Sequence, residues 1–497
     1  MTTPETNSGP RIETIVPFRG RTGSGAAQFP SRSRTGSSAP ERVIGNGTSA
    51  ALPARLGFSA DLLHLTLVLL VAFAVSRVHE QYSILVALRQ AVLLGLLIGL
   101  AAFGNARQLA PQIMLSTWPA RVIAGLAIMA CISVPFGLSM GASGRFLLQG
   151  YSKVLLLTFL IIVGIRGTRD LYTMLTGFLI GSGILVLLAL FVLRIRAMGT
   201  LGVLRIAGGG SGYSFDGNDL SVTAAVGLGI AILLALGGPR RIRIMAALIA
   251  LGLVVTIART GSRGGFLGLV AVAVGFLFLA GTIRFWKKLL LLGVAGGSLF
   301  LVAPSRYWEQ IRTIFTPTQD YNYTDPTGRV AVWKRGVTYM LEHPLTGVGV
   351  SNFGRAEGTI SPAALAHLPG QPGVKWMAPH NSFIEAGSEM GLPGLALFSA
   401  LVLGGIIGMV RLQRRVPRGW KNGSDSERLL FHAPTGLAIA MLGFAVAGSF
   451  VSFAYLDLVY ILGALMAGTY LCIRQALGTG PQTSRFSSLA RRSLSAR

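Results

Sequence analysis

Where the longest polar stretch of the chain meets an apolar run stands Pro379-His380-Asn381-Ser382. An imidazole titrates near neutrality, so His380 can take the proton from a hydroxyl as that oxygen attacks an electrophile. The same residue, followed by Asn381 and Ser382, also reads as an interfacial histidine ahead of a helix cap. Position alone divides these two readings evenly. His64, His79, His343, His367 and His432 have no comparable neighbourhood and read as structural.

Arg263 lies in Gly261-Ser262-Arg263-Gly264-Gly265, at the start of an apolar run. A guanidinium fork grips phosphate oxygens in pairs and keeps its charge, and neighbouring glycines allow close backbone approach. An arginine there also snorkels to lipid headgroups. Arg329 opens a segment in which Val330, Trp333, Val337 and Met340 or Leu341 share one face. That pattern predicts a helix lying on a membrane, with Lys334 and Arg335 as anchors to anionic lipid. Each arginine alone is weak evidence; the set, with Arg259, points to an anion.

Glu385 and Glu389 share a face just after His380, where a carboxylate near a membrane surface needs a partner; an external arginine is the expected one. Gly387, Gly391 and Gly394 read as a close helix contact. The run Gly208-Gly209-Gly210-Ser211-Gly212 lacks the strand, helix and Lys-Ser/Thr ending of a nucleotide loop. It reads as a lid or linker, with Asp216, Asn218 and Asp219 capping the next helix or contacting sugar.

The elements that must position these residues are membrane helices. Of 497 residues, 52% are hydrophobic and 12% charged, and the mean hydropathy is +0.61, which excludes an ordinary soluble protein. The fold class expected is all-α, a polytopic integral membrane protein of about twelve spans of roughly 20 apolar residues each. Approximate spans are 58–77, 84–103, 120–138, 150–165, 171–193, 219–237, 243–258, 264–281, 287–303, 383–410, 432–452 and 455–473. One large loop, 304–380, separates the ninth from the tenth within a membrane domain of residues 57–475. The basic tails, 1–56 and 476–497, are too polar to bury a core and are expected to be disordered; no cleavable signal peptide is read in the first.

The net charge of +26 follows topology. Arg107 and Arg121, Arg166 and Arg169, Arg240, Arg241 and Arg243, then Arg284, Lys287 and Lys288, and the run from Arg411 to Lys421 fall on one side with both tails, the cytoplasmic side by the positive-inside rule. No base-reading motif accompanies the charge, so no nucleic-acid partner is expected. Arg194, Arg196, Arg205, Arg259 and Arg263 break the bias, as residues retained for an anion would. Cys131 and Cys472 read as small buried hydrophobes and offer no disulfide framework.

Taken together, Arg259 to Gly265, Gly328-Arg329 with Trp333, His343-Pro344 with Gly347 and Gly349, and His380-Asn381 followed by Gly391 and Gly394 resemble the O-antigen ligase and O-antigen polymerase superfamily. The likeness covers about residues 210–410, with Leu397 standing where a small or aromatic residue is expected. It implies a metal- and cofactor-independent glycosyltransferase of the bacterial inner membrane, acting at the periplasmic face. Its donor would be a glycan on undecaprenyl pyrophosphate, and its acceptor a glycan, a lipid A core or a protein. His380 would activate the acceptor hydroxyl, and Arg263 and Arg329 would hold the pyrophosphate. Asn381, Trp333, Arg259, Asn218 and Asp219 would contact substrate. A transporter or flippase of lipid-linked glycans is the alternative, weakened by polar groups gathered at one surface and by the lack of an internal repeat.

Overall fold

The computed structural model describes residues 52–478 apart from 54, 60, 83, 86, 89–113, 199–202, 207–215, 317–319 and 367–375. Both tails, almost entirely, and most of the expected span 84–103 lie outside the described residues. Each of the other expected spans is a helix: α1 (Leu62–Ser76), α2 (Trp118–Phe136), α3 (Met140–Gly164), α4 (Thr168–Val192), α5 (Gly217–Gly237), α6 (Arg240–Thr260), α7 (Arg263–Leu279) and α8 (Phe285–Val302). After the polar insertion come α12 (Ser382–Gln413), α13 (Asp425–Ala447) and α14 (Asp457–Ala476). Within the insertion, α9 (Ser305–Arg312), α10 (Arg329–Glu342) and α11 (Phe353–Thr359) are the longer elements. Among the described residues, nine helices are long and apolar enough to cross a membrane, and α1 and α7 are shorter apolar helices. One departure from an all-helical chain is a small antiparallel hairpin, Ile195–Met198 paired with Val203–Ile206. Cys472 is buried as expected, whereas Cys131 is exposed on α2.

The helix ends carry conventional signals. Asp216 and Asp219 form a capping box at the start of α5, Ser424 and Glu427 another at α13, and the Ser262 and Asn381 side chains cap α7 and α12. Each cap satisfies amide groups that the first turn leaves unpaired. In the bundle, α5 and α14 are the inner helices, with 83% and 89% of their spans buried, while α8 has 11% and lies at the periphery.

The chain alternates direction, so the ends of these helices sort into two sets. One end gathers the starts of α5, α7, α12 and α14 with the ends of α6 and α13, and carries the insertion. The other holds the α6, α8 and α13 starts, where Arg240, Arg241, Arg243, Arg284, Lys287 and Arg428 lie. Most of the basic short loops thus share the end opposite the insertion, with Arg194, Arg259 and Arg263 the exceptions expected from sequence.

Tertiary structure overturns the expected role of Gly391. It does not serve a close helix contact; it breaks α12, at φ 71°, ψ −170°, a conformation open essentially to glycine alone. Because Pro393 has no N–H, the Glu389 carbonyl loses its intrahelical donor. Leu392 N–H turns to the Pro344 oxygen at 2.8 Å, which frees the Ser388 carbonyl as well. Both freed carbonyls are met by the insertion: Val348 N–H donates to Ser388 O at 2.8 Å and Gly349 N–H to Glu389 O at 3.1 Å. His343-Pro344…Gly347-Val348-Gly349 and Gly391-Leu392-Pro393-Gly394 are therefore two halves of one joint. Gly347 is at φ +65°, and an added Cβ there would meet the Glu389 carbonyl carbon at 2.4 Å.

The glutamates of α12 also differ from expectation. Among the described residues neither carboxylate bonds an arginine. Glu389 accepts from Ser351 N–H at 2.7 Å and Phe353 N–H at 2.9 Å, and Glu385 accepts from Ala454 N–H at 2.9 Å. Buried backbone donors at the ends of loop segments need acceptors, and these carboxylates supply them. In α10 the packed face is Val332, Gly336, Tyr339 and Met340, while Val337 and Leu341 are exposed. It packs on the start of α12 and on α11, where Val332, Tyr339, Val348, Phe353 and Ala356 form a small core. Arg335 is no lipid anchor: it grips the buried Glu357 with Nε at 2.8 Å and Nη2 at 2.5 Å.

Gly391→Ala is expected to add about 1–3 kcal/mol of backbone strain on top of a collision with Pro344 O, which would lie 2.5 Å from the new Cβ. The thermal unfolding midpoint of the detergent-purified protein should fall, whereas Gly293→Ala on α8, with nothing within 4 Å, should not lower it.

Candidate active site

The insertion-bearing end of the bundle brings the sequence candidates together through a chain of contacts. The turn Gly448–Ser452, between α13 and α14, lies at the centre. On one side Phe450 packs against the first turn of α7: a Cβ on Gly264, next to Arg263, would fall 2.8 Å from Phe450 Cβ. On the other, the Phe450 ring stands 6.1 Å from that of Trp333. Trp333 donates its indole N–H to Pro379 O at 2.9 Å, and the next residue, His380, donates its backbone N–H to Ser452 Oγ, also at 2.9 Å. Ser382 Oγ completes the clasp, donating to the Gly448 and Val451 carbonyls and accepting from Phe453 N–H.

His380 has φ 46°, a left-handed conformation uncommon outside glycine. Such a residue persists where its surroundings over-determine it, and these outliers gather at functional sites. Asn381 spends its side-chain oxygen on the cap of α12, accepting from Phe383 and Ile384 N–H at 3.0 and 3.2 Å.

Arg329 sits in the first turn of α10, one turn before Trp333, within electrostatic reach of Asp219. Asn218, beside Asp219, accepts from Ser262 Oγ at 2.9 Å, tying the start of α5 to the cap of α7. Arg263 follows that cap. Its Nη1 donates to Thr313 Oγ1 at 2.8 Å and forms an ion pair with Asp320. Burial alone would push the Asp320 carboxyl up; the bonds from Arg263 and Asn322 outweigh it and hold the group below the usual carboxylate range. Arg259 is at the same end but turned aside, with Nη1 donating to Leu190 O in the last turn of α4 at 3.0 Å.

Sequence reasoning missed several of these partners. Asp320 and Thr313 meet Arg263 across 57 and 50 residues, and nothing local marks that pairing. Arg77, at φ 53° after α1 and within electrostatic reach of Asp219, was not singled out. Ser452 and Phe450 carried a signal: polar and aromatic residues between two apolar runs are where a loop touches a site. Among the described residues no group of three or more His, Cys, Asp or Glu is placed to hold a metal ion.

Residues 248–399 match the family model for O-antigen ligase. That segment, under a third of the chain, is similar to the O-antigen ligase family and supports the resemblance to the O-antigen ligase and polymerase superfamily. It contains Arg259, Arg263, Arg329, Trp333, His380, Asn381 and both halves of the α12 joint, but neither Asn218 and Asp219 nor the 448–452 turn. None of the curated proteins compared matches the chain. The described apolar helices make this a multi-pass membrane protein, and the matched segment supports a glycan-processing role of ligase or polymerase type.

The Asp320 carboxyl supplies a pH test. Because its folded pKa is depressed, the stabilisation from the Arg263 pair is complete above the ordinary value of about 4 and is lost as pH falls below it. Protection against hydrogen exchange around residues 320–324, measured relative to the intrinsic rate at each pH, should fall in that acid range, and Asp320→Asn should show low protection at neutral pH with little further acid response.

Proposed function

We propose that the chain transfers or polymerises oligosaccharide from an undecaprenyl-pyrophosphate-linked donor at the periplasmic face of the bacterial inner membrane. The observation that carries this reading is the linkage of Arg263, Arg329 and His380 around the Trp333–Phe450 contact at one end of the bundle. A base and two cations drawn to one end of the bundle suit a reaction in which a hydroxyl loses a proton while a diphosphate departs.

In this mechanism the imidazole of His380 takes the proton of the acceptor hydroxyl. The oxygen lone pair forms the new bond to the anomeric carbon of the donor sugar. The bond from that carbon to the diphosphate oxygen breaks, and its electron pair leaves with the polyprenyl diphosphate. Arg263 and Arg329 stabilise the charge that develops on the leaving group, the type of contact worth about 2.7–4 kcal/mol per donor in a water-poor site. The donor itself supplies the driving force, so the reaction calls for no nucleotide. Asp320 answers the Arg263 charge before substrate arrives, and an incoming diphosphate competes with it for the guanidinium. Trp333 presents an aromatic face and fixes the Pro379–His380 bend through its indole N–H. The acceptor is a growing glycan, a lipid A core or a protein.

His380→Ala should lower transfer by about 100-fold or more with unchanged membrane abundance, measured with purified protein and a lipid-linked oligosaccharide donor; full activity in this variant would remove His380 from the mechanism. Arg329→Gln should raise the KM for donor more than that for acceptor, and equal effects on the two would argue against a diphosphate contact. In cells, loss of a transferase leaves its lipid-linked donor on the outer leaflet, whereas loss of a flippase leaves it on the inner one.

A further inference from the structure

At the bundle end opposite the candidate active site, the helices α7, α12 and α13 enclose a second polar feature. The end of α7 at Leu279 with the following residues 280–282, the end of α12 at Gln413, the α13 residues Phe431, His432 and Thr435, and Arg418 and Lys421 of the connecting segment line a half-open cavity of about 270 Å³. Its lining side chains include the donors Arg418, Lys421, His432 and Gln413. His432 is 7% exposed, with its ring 5.2 Å from that of Phe431; among the described residues its side chain makes no hydrogen bond to protein. Thr435 donates its hydroxyl to Gln413 Oε1 at 3.0 Å, which occupies the amide oxygen and leaves the amide nitrogen as the donor end.

The charges around the cavity are unbalanced. The nearby acids are committed elsewhere: Asp425 pairs with Arg428 at 2.5 Å, and Glu427 accepts from Ser424 N–H at 2.7 Å in its capping box. Among the described residues neither Arg418 nor Lys421 has an ion-pair partner. Arg243 and Arg428 lie within electrostatic reach of His432 and add to the positive potential. A half-enclosed hollow with a guanidinium, an ammonium, a buried imidazole and an amide on its walls, and no carboxylate among its lining residues, is complementary to a compact oxyanion. It lies where the apolar runs of three helices stop, at the depth of lipid headgroups.

We propose that this cavity is a binding site for a phosphate ester group. Two sources share that chemistry: the headgroup of an anionic glycerophospholipid, and a soluble phosphate ester. Either would tie the far ends of α7, α12 and α13 together. The inference is independent of the transfer reaction, and its test does not use activity.

The test is thermal unfolding of the purified full-length protein in detergent, titrated with dioleoyl phosphatidylglycerol, dioleoyl phosphatidylcholine or glycerol 3-phosphate. The double variant Arg418→Gln/Lys421→Gln is compared with Arg414→Gln/Arg415→Gln, which removes the same charge from exposed positions outside the cavity. Phosphatidylglycerol should raise the midpoint of the wild type and of the control variant, whereas phosphatidylcholine should not. In the Arg418/Lys421 variant the concentration for half the effect should rise about tenfold or more, the loss expected for two charge-assisted contacts. A shift with glycerol 3-phosphate alone assigns a soluble ligand; a shift that needs the lipid assigns the headgroup. Equal losses in the two double variants would show diffuse attraction to a basic surface and overturn the site, as would no shift with either phosphate ester.

Discussion

A helix that gives up its own hydrogen bonds in an apolar environment has to find replacements, and the break in α12 is where this protein meets that constraint. Pro393 and Gly391 strip the Ser388 and Glu389 carbonyls of their intrahelical donors, and Val348 and Gly349 of the insertion supply new ones. An unpaired buried carbonyl costs on the order of 1–3 kcal/mol, so the insertion is held to the membrane part by backbone bonds that tolerate almost no change of shape. Around this joint the carboxylates of Glu385 and Glu389 repeat the logic, each accepting from backbone N–H groups of an adjoining loop. Residues 344–353 and 448–455 are thereby fixed to the same turns of α12 that follow His380.

From that joint the site follows. Seated on α12, α10 presents Trp333 to Pro379 and to Phe450, and Arg329 to the start of α5. The cap of α7 is tied to α5 through Ser262 and Asn218, which puts Arg263 beside the same turn. Arg263 and Arg335 at this end are each held by a carboxylate, Asp320 and Glu357. A guanidinium that is largely enclosed and held by named partners has much of its ordering cost met before substrate arrives, the condition under which fixed charge favours a transition state.

The membrane class, most of the apolar helices and the main segregation of charge could be read directly from the sequence, because a bilayer demands long apolar runs and biases Lys and Arg to one side. His380, Arg263 and Arg329 could be singled out because polar residues at the edges of such runs are costly and few. The matched segment, residues 248–399, adds the likeness to the O-antigen ligase family. Partnerships were another matter. The pairings of Arg263 with Asp320, Arg335 with Glu357, and His380 with Ser452 link residues 57, 22 and 72 positions apart, and nothing in local pattern selects one loop residue over another. For α10 the helix was legible but its packed face was not, since an insertion with a core of its own does not follow the simple division into lipid and water.

Sequence by itself therefore determined the membrane character, the run of helices and the types of group available for chemistry, since these depend on composition and on spacing along the chain. Tertiary structure alone decided that two glycine-bearing motifs form one joint, that the glutamates hold backbone and bond no arginine, and which acid answers each arginine. Those outcomes turn on which donors and acceptors are left unpaired once the helices have packed, a quantity that exists only in three dimensions.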